Sequence, residues 1–193
     1  MWWVFFHNVS NDGPPVTITL RDCPAFIPSI LANDLRGTFH LPSPWPGDAT
    51  HGTLSVGNLT LKTLDKPVHT WCWGVYLSGE KTDVTLRGPT NICEMMVWDG
   101  KATLVGDEGT FNAKTTATTI DVGREKIRTK STDTGDTLSW KPKAELTLRN
   151  ASIGRFPPGS PVKGQITAKG DSVVRVEDSE CSDLLLITKD RGK

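Results

Sequence analysis

The chain has 193 residues, with 22 Lys plus Arg against 22 Asp plus Glu, so its formal net charge is zero. That balance argues against a chain-wide electrostatic nucleic-acid binder, and no apolar run reaches the ~20 residues a helix needs to cross a bilayer. Hydrophobic residues are 36% and Gly (18) and Pro (13) are frequent, yet alternating apolar segments and seven Trp exclude wholesale disorder.

The chain opens on Met1-Trp-Trp-Val-Phe-Phe6, an apolar stretch that stops at His7. It has no basic flank and is shorter than the ~7–15 apolar residues of a signal peptide's central segment. The pattern predicts a first strand or an end cap, with residues 1–15 as the capping part of a single domain over 1–193. Pro28 to Arg36 is the best helix candidate, with Ile30, Leu31 and Leu35 on one side and Gly37 as a stop. Elsewhere Thr, Val and Ile dominate, and branched side chains suit a pleated surface.

The informative signal is an internal repeat. Ile18-Thr-Leu-Arg-Asp22, Leu54-Ser-Val-Gly-Asn58, Val84-Thr-Leu-Arg-Gly88, Ile120-Asp-Val-Gly-Arg124, Leu146-Thr-Leu-Arg-Asn150 and Val174-Arg-Val-Glu-Asp178 align. Each has apolar residues at its first and third places, and five of the six end on Asp, Asn or Gly. Residues spaced by two point to one side of a strand. An Asn, Asp or Gly then tolerates a left-handed backbone, which turns the chain sharply. The next apolar residue falls seven places after the anchor at Leu61, Ile127, Ile153 and Cys181, and eight after it at Ile92. That change of parity predicts a strand–bend–strand unit. The anchors are 36, 30, 36, 26 and 28 residues apart, which fits stacked coils with loops of varying length. A propeller blade needs ~40–50 residues. Six coils at ~4.8 Å would make a rod ~24 Å long between first and last anchors.

Leu146-Thr-Leu-Arg-Asn-Ala-Ser-Ile153 resembles a coil of the right-handed parallel β-helix proteins, the pectate-lyase-like superfamily. In that group a left-handed Asn commonly makes a tight bend between two parallel sheets. Asn58 and Asn150 match that place; Asp22, Gly88 and Asp178 are chemically compatible, and Arg124 departs from it. The segment from Trp73 to Gly79, followed by Asp83 to Gly88, is similar to coils in uncharacterised bacterial β-helix proteins. The expected fold is therefore all-β, a right-handed parallel β-helix of about six coils. The alternative is a β-sandwich, for which Asp12-Gly13 and Asp99-Gly100 read as hairpin signals.

Functional signals are sparser. Trp71, Trp73, Val75 and Leu77 alternate along one strand and read as an inward face, with Tyr76 on the outer one; Trp98 is better placed for exposure beside Asp99. The run Arg124, Lys126, Arg128 and Lys130 sets four cations at every second place, with Ile127 inward. Such a line is either a solvated strand face or a surface for an anionic polymer such as a uronate polysaccharide. Asp83, Glu94, Asp99, Asp107 and Glu108 supply carboxylates, with nothing in their spacing to make them converge. Glu94 reads as outward despite its spacing from Ile92.

Asn8, Asn58 and Asn150 head formal glycosylation sequons, with the bend role preferred for the last two. Cys23, Cys72, Cys93 and Cys181 form no C-x-x-C pair and read as buried small residues, or as one or two disulfides in an exported protein. His7, His40, His51 and His69 lack metal-ligand spacing. These features predict a non-catalytic solenoid, exported or at a cell surface, with no signal peptide in this chain. It needs no cofactor or metal and presents a face for an acidic glycan through Arg124, Lys126, Arg128, Lys130, Tyr76, Trp98 and Asp99. The competing expectation is a polysaccharide lyase or glycoside hydrolase acting on uronate-containing polysaccharide. That activity would require clustered carboxylates with a basic partner.

Overall fold

The computed structural model describes residues 2–21, 25–40, 53–64, 69–70, 72–88, 91–106, 116–123, 128–130, 137–139, 143–153, 164–181 and 184–190. Every regular element among these residues is a strand. In chain order they are β1 (Trp2–Val9), β2 (Val16–Arg21), β3 (Ala25–Asn33), β4 (Arg36–His40), β5 (Thr53–Val56), β6 (Leu59–Leu64) and β7 (His69–Thr70). There follow β8 (Cys72–Ser78), β9 (Asp83–Arg87), β10 (Asn91–Val97), β11 (Gly100–Val105), β12 (Thr116–Val122), β13 (Arg128–Lys130) and β14 (Thr137–Ser139). The last six are β15 (Ala144–Arg149), β16 (Ser152–Ile153), β17 (Gly164–Gly170), β18 (Val173–Glu177), β19 (Glu180–Cys181) and β20 (Leu184–Asp190). The expected helix at Pro28–Arg36 is instead the end of β3 and the start of β4. Ile30 and Ala32 alternate inward there at the period of a strand.

Two parallel sheets dominate. The larger runs β1-β3-β8-β10-β12, then β17 and β20, with the short β7, β16 and β19 extending it; the smaller runs β4-β9-β11-β15-β18. Every pairing in both sheets is parallel, whereas a sandwich of hairpins would be antiparallel. The chain passes from one sheet to the other and back, a layout compatible with a solenoid. A three-stranded sheet β2-β6-β5, containing the β5–β6 hairpin, lies beside β4, and β13 pairs with β14 as a separate antiparallel ribbon.

The core is a set of continuous inward rungs. Ile30, Val75, Met95, Ile120 and Ile166 share one, and Leu86, Leu104 and Leu148 share another across the smaller sheet; all are buried. Full burial of such a side chain contributes about 1.5–3 kcal/mol. Cys72, Ile92, Ala117, Ile153 and Cys181 occupy one register line after the bend; Ile92 is buried there, whereas Cys181 is exposed. Three of the six anchors, Val84, Leu146 and Val174, also fall in register, with Ala102 between the first two.

Other anchors are displaced. Ile120 belongs to the larger sheet, and Leu54 pairs with Leu61 across the antiparallel hairpin. Asn150 (φ 48°), Asp178 (φ 47°) and Gly88 (φ 134°) make the bend as expected. At the hairpin the left-handed residue is Gly57 (φ 55°), not Asn58. Asn58 instead accepts a hydrogen bond from the Ser10 N–H at Oδ1 (3.1 Å) and donates from Nδ2 to the Pro14 carbonyl (3.0 Å), which pins the 10–16 segment. The opposite bend, where larger-sheet strands end, uses Asp34 (φ 51°), Gly79 (φ 96°), Gly123 (φ 82°) and Gly170 (φ 63°). A Cβ on Gly79 would lie 2.2 Å from the Asp34 carboxylate and 2.8 Å from its backbone N, so both space and φ demand glycine there. Asp22 and Arg124 lie outside the described residues.

The outer face of the smaller sheet alternates in charge. Arg36, Asp83, Lys101 and Glu145 follow one another across β4, β9, β11 and β15. Two residues upstream of these stand Asp34, Lys81, Asp99 and Lys143, each opposite in sign to its companion. Opposite charges across neighbouring strands stabilise pairing, and like charges oppose it.

Candidate functional site

The outer face of the larger sheet carries the densest group of chemically distinct side chains. Ser29, Gly74, Glu94 and Gln165 share one outward column, whose register line includes Thr119; Leu31, Tyr76, Met96, Asp121 and Thr167 share the next. The Tyr76 ring folds back over Gly74: a Cβ there would lie 2.5 Å from both the ring edge and the hydroxyl. The Tyr76 hydroxyl donates to Glu94 Oε2 at 2.6 Å, and its ring stands 6.4 Å from that of Trp98, tilted by 37°. Glycine thus makes room for the ring, and Glu94 and Trp98 hold its position. Glu94 faces outward because the inward parity changes within β10: Ile92 is buried, and so are Met95 and Val97.

On the next strands Lys169 Nζ lies 3.0 Å from Asp121 Oδ2, both side chains about one-fifth exposed. Asp121 Oδ1 is buried and has no hydrogen-bond partner among the described residues. A buried carboxylate oxygen left without a donor is costly. Together these groups offer an aromatic surface, two carboxylates and an ammonium on a flat support. Aromatic faces pack against C–H groups, while carboxylates accept hydrogen bonds from hydroxyls.

Of the residues expected at a site, the structure brings Tyr76 and Trp98 together. Asp99 is only 3% exposed and turns away to an open groove of about 460 Å³. Asp83, Lys101, Lys143 and Glu145 from three successive turns of chain also line that groove. Asp83 and Asp99 thus share a groove that Glu94 does not line. Among the described residues no three or more His, Cys, Asp or Glu are placed to hold a metal ion.

Arg124, Lys126, Ile127, Asp107 and Glu108 lie outside the described residues. Arg128 and Lys130 are on β13, in the antiparallel ribbon rather than in either main sheet. The side chains of Trp71 and Trp73 lie outside the described residues; Val75 and Leu77 are inward and buried as expected. Cys181 corrects the expectation of buried cysteines: it is a free, exposed thiol on β19, a strand with no further neighbour beyond it. Asp121 was missed in the sequence because its repeat copy was aligned to the wrong sheet. The signal for Glu94 was present, in the Tyr76 to Glu94 spacing of one strand plus a turn. Comparison with models of known families, with curated proteins and with solved structures finds no match to this chain.

Proposed function

We propose that this protein is a non-catalytic right-handed parallel β-helix of about six coils, exported or held at a cell surface, that binds a glycan on the outer face of its larger sheet. The fold part rests on strand order. The pairs β1–β2, β3–β4, β8–β9, β10–β11, β12–β15 and β17–β18 each leave the larger sheet for a second wall, and β20 begins another turn. A parallel crossover of this kind is right-handed in about 98% of cases. Chemically this is the architecture of the pectate-lyase-like group that Leu146–Ile153 resembles.

The observation that carries the binding part is the Tyr76 ring, pinned over Gly74 by Glu94 and abutted by Trp98. A pyranose face fits such a ring pair, and its hydroxyls fit the Glu94 carboxylate. Lys169 supplies positive charge on this face for an acidic glycan, and we propose the row Arg124, Lys126, Arg128 and Lys130 as a separate source of it, with Arg128 and Lys130 on the β13–β14 ribbon. Asp99 belongs to the neighbouring groove and has no part in this face.

Neutral and uronate oligosaccharides titrated by calorimetry test the reading. Tyr76→Ala and Trp98→Ala should each weaken binding about tenfold or more, the scale of one lost aromatic contact. Undiminished affinity in both variants would remove the platform from consideration. Replacing Lys126, Arg128 and Lys130 with Ser should weaken uronates more than neutral chains. Sustained release of unsaturated product from polygalacturonate, with or without calcium, would overturn the non-catalytic assignment.

A further inference from the structure

All five large hydrophobic side chains that remain exposed among the described residues lie on strands at the edges of their sheets. Phe5 (49% exposed) is on β1 and Val16 (43%) on β2; Val176 (43%) is on β18, and Leu185 (50%) and Leu186 (69%) are on β20. β1 and β20 terminate the larger sheet at its two ends. Scattered surface apolar residues are ordinary, but confinement to sheet edges is not a random scatter. An edge strand also presents unpaired N–H and C=O groups, a template for another strand.

The two ends of the larger sheet match. Its inward rung runs Phe6, Ile30, Val75, Met95, Ile120, Ile166 and Leu186. The neighbouring register line runs Phe5, Ser29, Gly74, Glu94, Thr119, Gln165 and Leu185. Both lines therefore begin on phenylalanine and end on leucine. A parallel strand placed on β20 in the sheet's own register would set one residue against Leu185 and the next against Leu186. On β1 those residues are Phe5 and Phe6. Ile187 would then meet His7, and no like charges would face each other along the seam.

We infer that the protein associates with a second copy of itself head to tail, β20 of one copy pairing in parallel with β1 of the next. The contact is heterologous: each copy uses different surfaces at its two ends, so association need not stop at a dimer. Leu186, left bare where its rung ends, becomes an interior residue of a longer stack. This inference is independent of the glycan-binding reading, because neither Tyr76 nor Trp98 lies at the seam.

Sedimentation equilibrium on the whole chain tests it, using Leu186→Lys to block one end and Phe5→Lys to block the other. Both positions are exposed, and circular dichroism checks that each variant keeps its strand signal. A further variant, Leu185→Lys, covers any failure of the first to fold. The wild-type mass should climb with concentration without a plateau, while each variant alone weakens association at least tenfold. An equimolar mixture of the two blocked variants retains one good end of each kind. It should assemble and stop at twice the 21.1 kDa chain mass. A wild-type chain that stays monomeric, one that plateaus as a dimer, or association that these substitutions leave unchanged would each overturn the inference.

Discussion

Asn150 shows how one side chain can define a bend. Its backbone is left-handed, its N–H donates to the Glu177 carbonyl at 3.1 Å, and its Nδ2 donates to the Gly106 carbonyl at 3.1 Å. One residue therefore ties together three successive turns of chain. A residue other than Gly, Asn or Asp in this conformation costs roughly 1–2 kcal/mol, and the side-chain hydrogen bond contributes about 1 kcal/mol. Asn150→Ala should therefore lose about 2–3 kcal/mol in urea unfolding, and Asn150→Gly only about 1 kcal/mol. Equal losses would mean that the left-handed backbone is not what selects this residue. Gly74 works by the opposite logic, because what it lacks is a side chain. Gly74→Ala should displace the Tyr76 ring and weaken the glycan binding proposed above while changing the melting temperature little, since the ring's far end can swing away.

At the level of elements, the alternating charges of the smaller sheet give a direct prediction. Glu145 lies between Lys101 on one side and Arg175 on the other, with Arg175 Nη1 3.2 Å and Lys143 Nζ 3.8 Å from its carboxylate. Glu145→Lys should destabilise the protein by about 1 kcal/mol at low salt, with most of that loss recovered near 1 M salt. A loss insensitive to salt would point to packing instead. The same elements show what the sequence reveals and what it hides. The turns at Val84, Leu146 and Val174 were legible because each pairs two apolar residues with a bend residue. The strands at 36–40 and 100–105 were not: Gly37 stands where the anchor should be, and Ala102 is too small to register as one. The Tyr76–Trp98 pairing needed the register across β8 and β10, which no local pattern supplies. Leu54 and Leu61 mimicked a coil because a hairpin whose facing residues are both apolar can show the same spacing.

Across the whole molecule, the rungs make each strand of the two parallel sheets depend mainly on its paired neighbours. Met95, Val97, Ile120 and Val122 are fully buried, with paired strands on both sides, whereas β20 has one paired neighbour and exposed leucines. Native-state hydrogen exchange in dilute protein should therefore run at least about 100-fold faster in β20 than in β10 and β12. Uniform rates would identify a single all-or-none unit. The sign alternation also gives the smaller sheet an even–odd arithmetic. Excising the turn that carries Asp99 and Lys101 would bring Lys81 and Asp83 against Lys143 and Glu145, cation beside cation and anion beside anion. Excising that turn together with the preceding one would join Asp34 and Arg36 to Lys143 and Glu145, and every facing pair would again be opposite. Within this stretch the chain can be shortened by two turns with its electrostatics intact, but not by one.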